Sequence, residues 1–540
     1  MNEFDRQPLP PSALKPGRYF AASYAGEHVA GTEFVIGALF VAWGVGARDV
    51  IVGLAIGNTL AVLTWVIICA PIAVSTRLTL YAYLEKIAGE RFVKLYSMVN
   101  GTLFCVLAGA MITVSASAVR ILFGISPQVE WFPTSFGFVA IALAVGAVVT
   151  VAAMKGFGFV ARFAEVSAPW MIAMFLVGGC LLIPVLIDAT PSVDAIGGLG
   201  DFLLLAEDGI WTDRGTDMGI GHVIAIAWGA NLAFHGALGD MTILRFAKHG
   251  SYAWYSALGM FIGHFGAWLA AGVMGAGAAV LLKTELVSLD AGEVAFQALG
   301  PVGILAVIIA GWTTSNPTIY RAGLAFQSLN PNWSRERVTL VVGAVTTVIA
   351  CFPFVFTGLL NFLGLMALVL APTGGIIVAE HHVLPRLGKR RYWATSAGGS
   401  LNVAALASWL LALAAAAYLG FVVGVHVLYL FVPAWIFGFL MYGALAWRMA
   451  PDAVQDTTEE LTSSVDGANL PHPQTSSAMS HYLQIGAGLA LAASVAIGVA
   501  GVVGMTRPSA HIFLMWSTGA YFALAVSVMF TGPRSDSESA

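Results

Sequence analysis

The sequence predicts an all-α, polytopic membrane protein, and three observations carry that prediction. Of 540 residues, 58% are hydrophobic and only 10% charged, against about 25% charged in a soluble domain. The mean hydropathy is +0.83. Charge-poor apolar stretches recur from Val35 to Phe530, each near the roughly 20 residues that cross a bilayer as a helix. The stretches are continuously apolar and do not alternate, which excludes a transmembrane β-barrel. A soluble enzyme and a disordered scaffold are excluded by the same composition. The net charge of -4 singles out no partner, and no nucleic-acid module is present. The four cysteines are scattered and read as small buried hydrophobes.

Hydropathy places about fourteen spans, at 21–47, 50–74, 95–124, 134–154, 158–187, 218–239, 251–282, 302–326, 337–359, 361–383, 401–424, 426–447, 482–505 and 510–531. With the N-terminus in the cytoplasm, the 25 Lys and Arg divide 20 inside to 5 outside. A missed or invented span would scramble the later loops and erode that bias, so the positive-inside rule supports both the count and the orientation. Both termini are then expected in the cytoplasm, and the chain in the plasma (inner) membrane. Residues 188–217 form an acidic outer loop, and 451–481 a Thr-, Ser- and Pro-rich linker expected to lack fixed structure.

Two spans carry polar interruptions that lipid would not tolerate. In span one, Gly31, Thr32 and Glu33 fall near mid-membrane at 1.5 Å per residue. In span six, Trp228, Gly229 and Asn231 fall at the same depth. Spans one and six are five apart and so cross in opposite directions. Paired interruptions at corresponding places in two halves point to an inverted-repeat transporter with its site at the midplane. Backbone freed at that depth must line a cavity or bind something. Span eight adds Trp312, Thr313, Thr314, Ser315 and Asn316 ahead of Pro317. The two threonine hydroxyls are hard oxygen ligands of the kind a small cation prefers.

In order and spacing, several motifs resemble the nucleobase–cation symporter family one, the cytosine, uracil, allantoin and hydantoin permeases, within the amino acid–polyamine–cation superfamily. Arg18-Tyr19-Phe20 resembles the Arg-Thr-Trp ahead of that family's first helix. Asp240 and Arg245-Phe246-Ala247-Lys248 resemble its Asp-Tyr-Ser-Arg-Tyr-Ala. Thr313-Thr314 with Tyr320 and Gly323-Leu324 resemble its eighth helix, and Pro372 through Glu380 its tenth. The resemblance covers roughly residues 18–392. In the eighth helix Ser315 and Ile319 stand where the family has asparagines.

The resemblance implies a leucine-transporter-type five-plus-five inverted repeat with discontinuous helices one and six. The chain would then divide into a cytoplasmic tail at 1–17, a first repeat at 18–188, an outer loop at 189–217 and an inverted second repeat at 218–385. Helices eleven and twelve follow at 386–449, a cytoplasmic linker at 450–481, an appended two-helix hairpin at 482–531 and a tail at 532–540. It also implies a planar heterocycle bound between helices one, three, six and eight. Gly31, Thr32, Glu33, Asn100, Phe104, Trp228, Gly229, Asn231 and Asn316 are the candidate substrate residues. A sodium ion would lie against Thr313, Thr314 and backbone near Gly31. Asp240 and Arg245 are a candidate gating pair.

Individual residues sharpen this. A charged acid at mid-membrane costs about 2.5–3.5 kcal/mol, so Glu33 should face a cavity or partner. It is either a protonatable coupling group or an acceptor for ring N–H donors. Glu27 and His28 lie shallower. Trp228 is a candidate stacking platform. His222, His235, His264 and His426 lie on different spans and read as packing histidines.

Three functions compete. The leading one is secondary transport of a nucleobase or related small N-heterocycle with sodium or a proton. The second is the same fold carrying an amine, amino acid or vitamin precursor, which Glu33 would favour. The third is a channel or membrane sensor, disfavoured because the polar residues form mid-depth islands and not a continuous stripe. An enzyme is not expected, because no nucleophile, phosphate-loop or metal motif is present. Membrane lipid, one small molecule and the coupling cation are the expected partners, with no other cofactor. The oligomeric state is open.

Overall fold

The computed structural model describes residues 7–155, 157–330, 332–453 and 478–531. The first six residues, most of the expected linker and the expected C-terminal tail lie outside the described residues. The described residues are almost entirely helical. The first span is a bent pair, α1a (Gly17–Glu27) and α1b (Gly31–Ala42), meeting at 46°. Then follow α2 (Ala47–Thr76), α3 (Glu90–Phe123), α4 (Phe136–Met154), α5 (Arg162–Ala189) and the short α6 (Ile220–Gly229). The second half holds α7 (Gly250–Leu282), α8 (Pro301–Gln327), α9 (Arg335–Ala350) and α10 (Leu359–Arg386). The last four are α11 (Val403–Val423), α12 (Val427–Met449), α13 (Met479–Val502) and α14 (Arg507–Val528).

Eleven of these helices are long and apolar enough to cross a membrane, and the bent pair makes a twelfth. The other two of the fourteen expected spans fall short for local reasons. The sixth is regular helix only to Gly229, because the chain turns at Ala230–Asn231. The ninth stops after 16 residues, at Ala350. Pro353 lies just beyond, and the residue before a proline is pushed out of the helical region.

Helices pack in two groups. In one, α3 lies along α8, and α9 packs on α4 and α3. In the other, α2 lies along α6, and α1b along α7. Small residues set these approaches, as membrane packing requires. A Cβ on Gly37 would run into the Trp268 carbonyl and Ala271, so only glycine lets α1b lie this close to α7. Within α2, Trp65–Cys69 is wound as a π turn just ahead of Pro71, a usual response to a missing N–H. Both Trp65 and Cys69 are buried. The terminal hairpin leans on the fifth helix. Trp170 donates to Thr518 at 3.1 Å, and the Tyr521 hydroxyl donates to the Val166 carbonyl at 2.7 Å.

Candidate functional site

The first interruption lies at His28–Ala30, just before the expected Gly31–Glu33. Ala30 is extended (φ -109°, ψ 179°), and α1b restarts at Gly31. Gly31 itself is in the new helix because its bare Cα fits beside Val114 and Gly311, where a Cβ would sit 2.7 Å from the valine methyl. This brings helices one, three and eight together. Thr32 and Glu33 then form the first turn of α1b. The second interruption falls within the expected segment. Asn231 (φ -107°, ψ 15°) follows α6 and precedes a one-turn helix, Leu232–His235.

The two interruptions meet on one histidine. Asn231 Nδ2 is 3.1 Å and Glu33 Oε1 3.3 Å from His264 Nε2. Thr32 donates its hydroxyl hydrogen to the other Glu33 oxygen. The His264 ring stacks on Trp268 at 4.5 Å and 16°. His264 lies in a π-helical stretch, Leu258–Phe265, at the start of α7. Such widened turns re-aim side chains and are frequent at functional sites. Glu33 is 0% exposed.

Toward the N-terminal side of this centre lies a buried ion cluster. Arg321 grips Glu27 with both terminal nitrogens, at 2.5 and 3.1 Å, and donates to Asp240 at 2.8 Å. Asp240 also accepts from Trp65 Nε1 at 2.7 Å and Tyr24 at 3.2 Å. The guanidinium stands 4.2 Å over the Phe234 ring, a favourable cation–π placement. One acid comes from α1a, one from the chain after α6, and the cation from α8. The cluster therefore bridges the two helix groups. It also corrects the expected gating pair: Asp240 pairs with Arg321, not Arg245. Asp240 precedes the Met241–Leu244 turn with its carboxylate turned to Arg321 and Trp65, whereas the Arg245 guanidinium lies on the Phe246 ring at 4.8 Å. Arg321, one of the twenty cations counted on the inner side, lies within the expected eighth span and is buried inside α8.

The α8 threonines face oxygen atoms. Thr314 Oγ1 is 3.5 Å from both the Glu27 and Ala310 carbonyls, and Thr313 Oγ1 is 2.9 Å from the Ala310 carbonyl. The first-helix backbone that reaches this group is thus Glu27, one turn before Gly31. These are neutral hydroxyl and carbonyl oxygens, the donor set that suits a hard monovalent cation.

The remaining candidates separate into four places. Phe104 lies near-parallel to Phe234 at 5.9 Å and 7°, joining helix three to the segment after the sixth-helix break. Asn100 donates to Tyr81 at 3.0 Å and has an unpartnered buried oxygen. Asn316 and Ser315 are buried, with Asn316 Oδ1 and Ser315 Oγ unpartnered. Trp228 is not brought to the centre. Its indole donates to Thr64 at 3.1 Å and meets Phe431 edge-on, while Gly229 backs onto the same phenyl ring. Residues that sequence reasoning passed over include His264, Trp65, Tyr24 and Arg321. A lone histidine in an apolar span carries no spacing signal. A buried arginine four residues past Pro317 was the clearest available clue.

No protein-family model matches the sequence, and no curated protein matches it. Solved structures do match. The chain is similar to Mhp1, a nucleobase-cation-symport-1 family transporter, in a closed conformation with bromovinylhydantoin bound, at TM-score 0.63 and 19% identity, covering 82% of this chain and 95% of that one. It is similar to the inward-facing conformation of Mhp1 at TM-score 0.61 and 18% identity, over 83% and 96% of the two chains. A substrate-bound, outward-open Na+-coupled sialic acid symporter matches at TM-score 0.58 and 15% identity, over 85% and 94%. The chain therefore shares the five-plus-five inverted-repeat fold of these transporters, with its discontinuous helices one and six and additional C-terminal helices.

Proposed function

We propose that the protein is a secondary active transporter, a symporter that imports a nucleobase or related small planar N-heterocycle with sodium or a proton. One observation carries the reading. Helices one and six are both broken at mid-bundle, and the polar side chains beside the two breaks, Glu33 and Asn231, turn to the same point on His264. Such a centre offers a carboxylate, an amide and an imidazole edge, which suits the alternating N–H and C=O groups of a heterocycle. The Phe104–Phe234 pair joins helix three to the chain after the sixth-helix break, and Trp268 stacks on His264. The substrate belongs between helices one, three, six and eight.

Thr313, Thr314 and the Glu27 and Ala310 carbonyls are the assigned sodium contacts. Glu27 ties this group to the ion cluster, since its carbonyl faces Thr314 while its carboxylate holds Arg321. A cation at the carbonyl stabilises the α1a–α8 contact, and loss of it frees α1a to swing. Alternating access then consists of the group of helices one, two, six and seven moving against helices three, four, eight and nine. The cluster of Glu27, Arg321 and Asp240 closes the N-terminal side between them. The charge bias supports a cytoplasmic position for that side.

A second reading keeps the fold and replaces the heterocycle by an amine, an amino acid or a vitamin precursor. The specific observation for it is Glu33, which among the described residues has no lysine or arginine partner. One experiment separates the two. The purified protein is melted with nucleobases, hydantoins and small amines, each with and without sodium. A ligand of the folded state at one hundred times its Kd stabilises by about 2.7 kcal/mol. Stabilisation by a heterocycle, enhanced by sodium, supports the first reading. Stabilisation by an amine alone supports the second, and none by any class refutes both.

A further inference from the structure

We infer that the terminal hairpin straps the helix Ala291–Leu299 to the side of the bundle built on helices three and five, with Arg507 and His511 as its positioning residues. That helix lies in the loop between α7 and α8, on the side of the bundle away from the N-terminus. It packs on α3, α5, α7, α8 and α1b, so it touches both helix groups. Its polar contacts are one-sided. At its start, Asp290 accepts from Arg120 Nε at 2.7 Å and from a second Arg120 nitrogen at 2.9 Å, and the Gly292 N–H donates to Ser117 at 3.2 Å. Arg120 and Ser117 both belong to α3.

Its end is taken by the hairpin. In a continuing helix the Gln297 carbonyl would accept from residue 301, but Pro301 has no N–H. Gly300, at φ +61°, turns the chain out of the helix. The freed carbonyls are met from α14. Arg507 donates to Gln297 at 2.5 Å, and His511 Nε2 to Ala298 at 3.1 Å. A carbonyl only accepts, so the imidazole is the donor. A cation here also suits the negative end of the helix dipole. The two elements fit closely, since a Cβ on Gly300 would sit 2.7 Å from His511 Nδ1.

The hairpin carries this hold to α5. Ser494 donates to Ser517 at 2.9 Å, joining α13 to α14. Gly498 and Gly501 let α13 lie against Val177 and Leu181 of α5, and α14 is bound to α5 through Thr518 and Tyr521. Among the described residues, no hydrogen bond or ion pair joins the segment 290–300 to α1b or α7. Helices one and seven therefore meet it through packing alone and can slide on it, while both its ends stay with helices three and five.

The strap stands on these contacts. That it sets closure on the side away from the N-terminus rests on the transport reading, and the two parts are tested separately. Amide hydrogen exchange of the purified full-length protein is followed by mass spectrometry in wild type, Arg507→Ala, His511→Ala, the double variant and Tyr521→Phe. Peptides covering 291–300 are expected to exchange about tenfold faster in the double variant, as local opening does when bonds that oppose it are lost. Each single variant should show a smaller acceleration, and either decides the matter if the double variant does not fold. Tyr521→Phe loosens α14 elsewhere and should leave 291–300 at the wild-type rate. Wild-type exchange of 291–300 in the folded Arg507 and His511 variants overturns the inference. So does equal acceleration in Tyr521→Phe, since the effect is then general loosening. Uptake of a radiolabelled cytosine–hydantoin mixture into proteoliposomes tests the second part. Reduced uptake in the double variant supports a role in closure, and unchanged uptake beside fast exchange refutes that role. No uptake by wild type counts against the transport reading, while the exchange result stands.

Discussion

Replacing Arg321 by glutamine tests the ion cluster that joins the two helix groups. The wild-type guanidinium makes three charge-assisted contacts, two to Glu27 and one to Asp240, each of the class that contributes about 1.5–3 kcal/mol. Arg321, Glu27 and Asp240 are 2%, 7% and 1% exposed. Removing the cation therefore strands two carboxylates away from water, and breaking a buried pair this way costs about 3–5 kcal/mol. The expected result is a large fall in the thermal midpoint in detergent. Neutralising the acids in the same chain, as Glu27→Gln and Asp240→Asn with Arg321→Gln, should restore much of it, because no unpaired charge remains. A cysteine placed on α1a should also become more reactive from the N-terminal side in Arg321→Gln, since the bridge between groups is gone. A single variant that melts like wild type, or a triple variant no more stable than the single, would refute the reasoning. The coupling is read from the full mutant cycle, because contacting residues are not additive.

Three further outcomes follow from other contacts. Thr314→Ala and Thr313→Ala should abolish sodium-dependent stabilisation while leaving the sodium-free melting point nearly unchanged; equal sodium shifts in wild type and variants would remove these hydroxyls from the cation site. Gly37→Ala should destabilise by about 1–3 kcal/mol, because the added methyl meets the Trp268 carbonyl, and a melt equal to wild type would show that α1b and α7 separate easily. Tyr521→Phe should cost about 0.5–1.5 kcal/mol through the lost bond to Val166, with substrate-induced thermal shifts retained; loss of those shifts would tie the terminal hairpin to binding.

Much of the architecture was legible from hydropathy. A bilayer imposes a length and a polarity on each crossing, so apolar stretches between charges locate spans, and the two spans with central polar residues identified which helices are interrupted. The legibility failed where a break depends on contacts. Sequence put the first interruption at Gly31–Glu33, but the chain breaks at His28–Ala30 because Gly31 is needed inside the helix, against Val114 and Gly311. Trp228 read as a stacking platform from its depth. Depth does not give azimuth, and the ring turned outward to Thr64 and Phe431.

By itself, then, the sequence determined that this is a helical membrane protein, where its spans lie, and that helices one and six carry the polar midpoints. Those are properties of segments, set by the transfer of each stretch into hydrocarbon. Only the tertiary structure decided the partners. Asp240 chose Arg321, 81 positions away, over Arg245, and Glu33 met His264 from a helix that no spacing rule connects to it. A buried charge takes whichever opposite or protonatable group the packing brings within reach, and packing between distant helices is a property of the whole bundle.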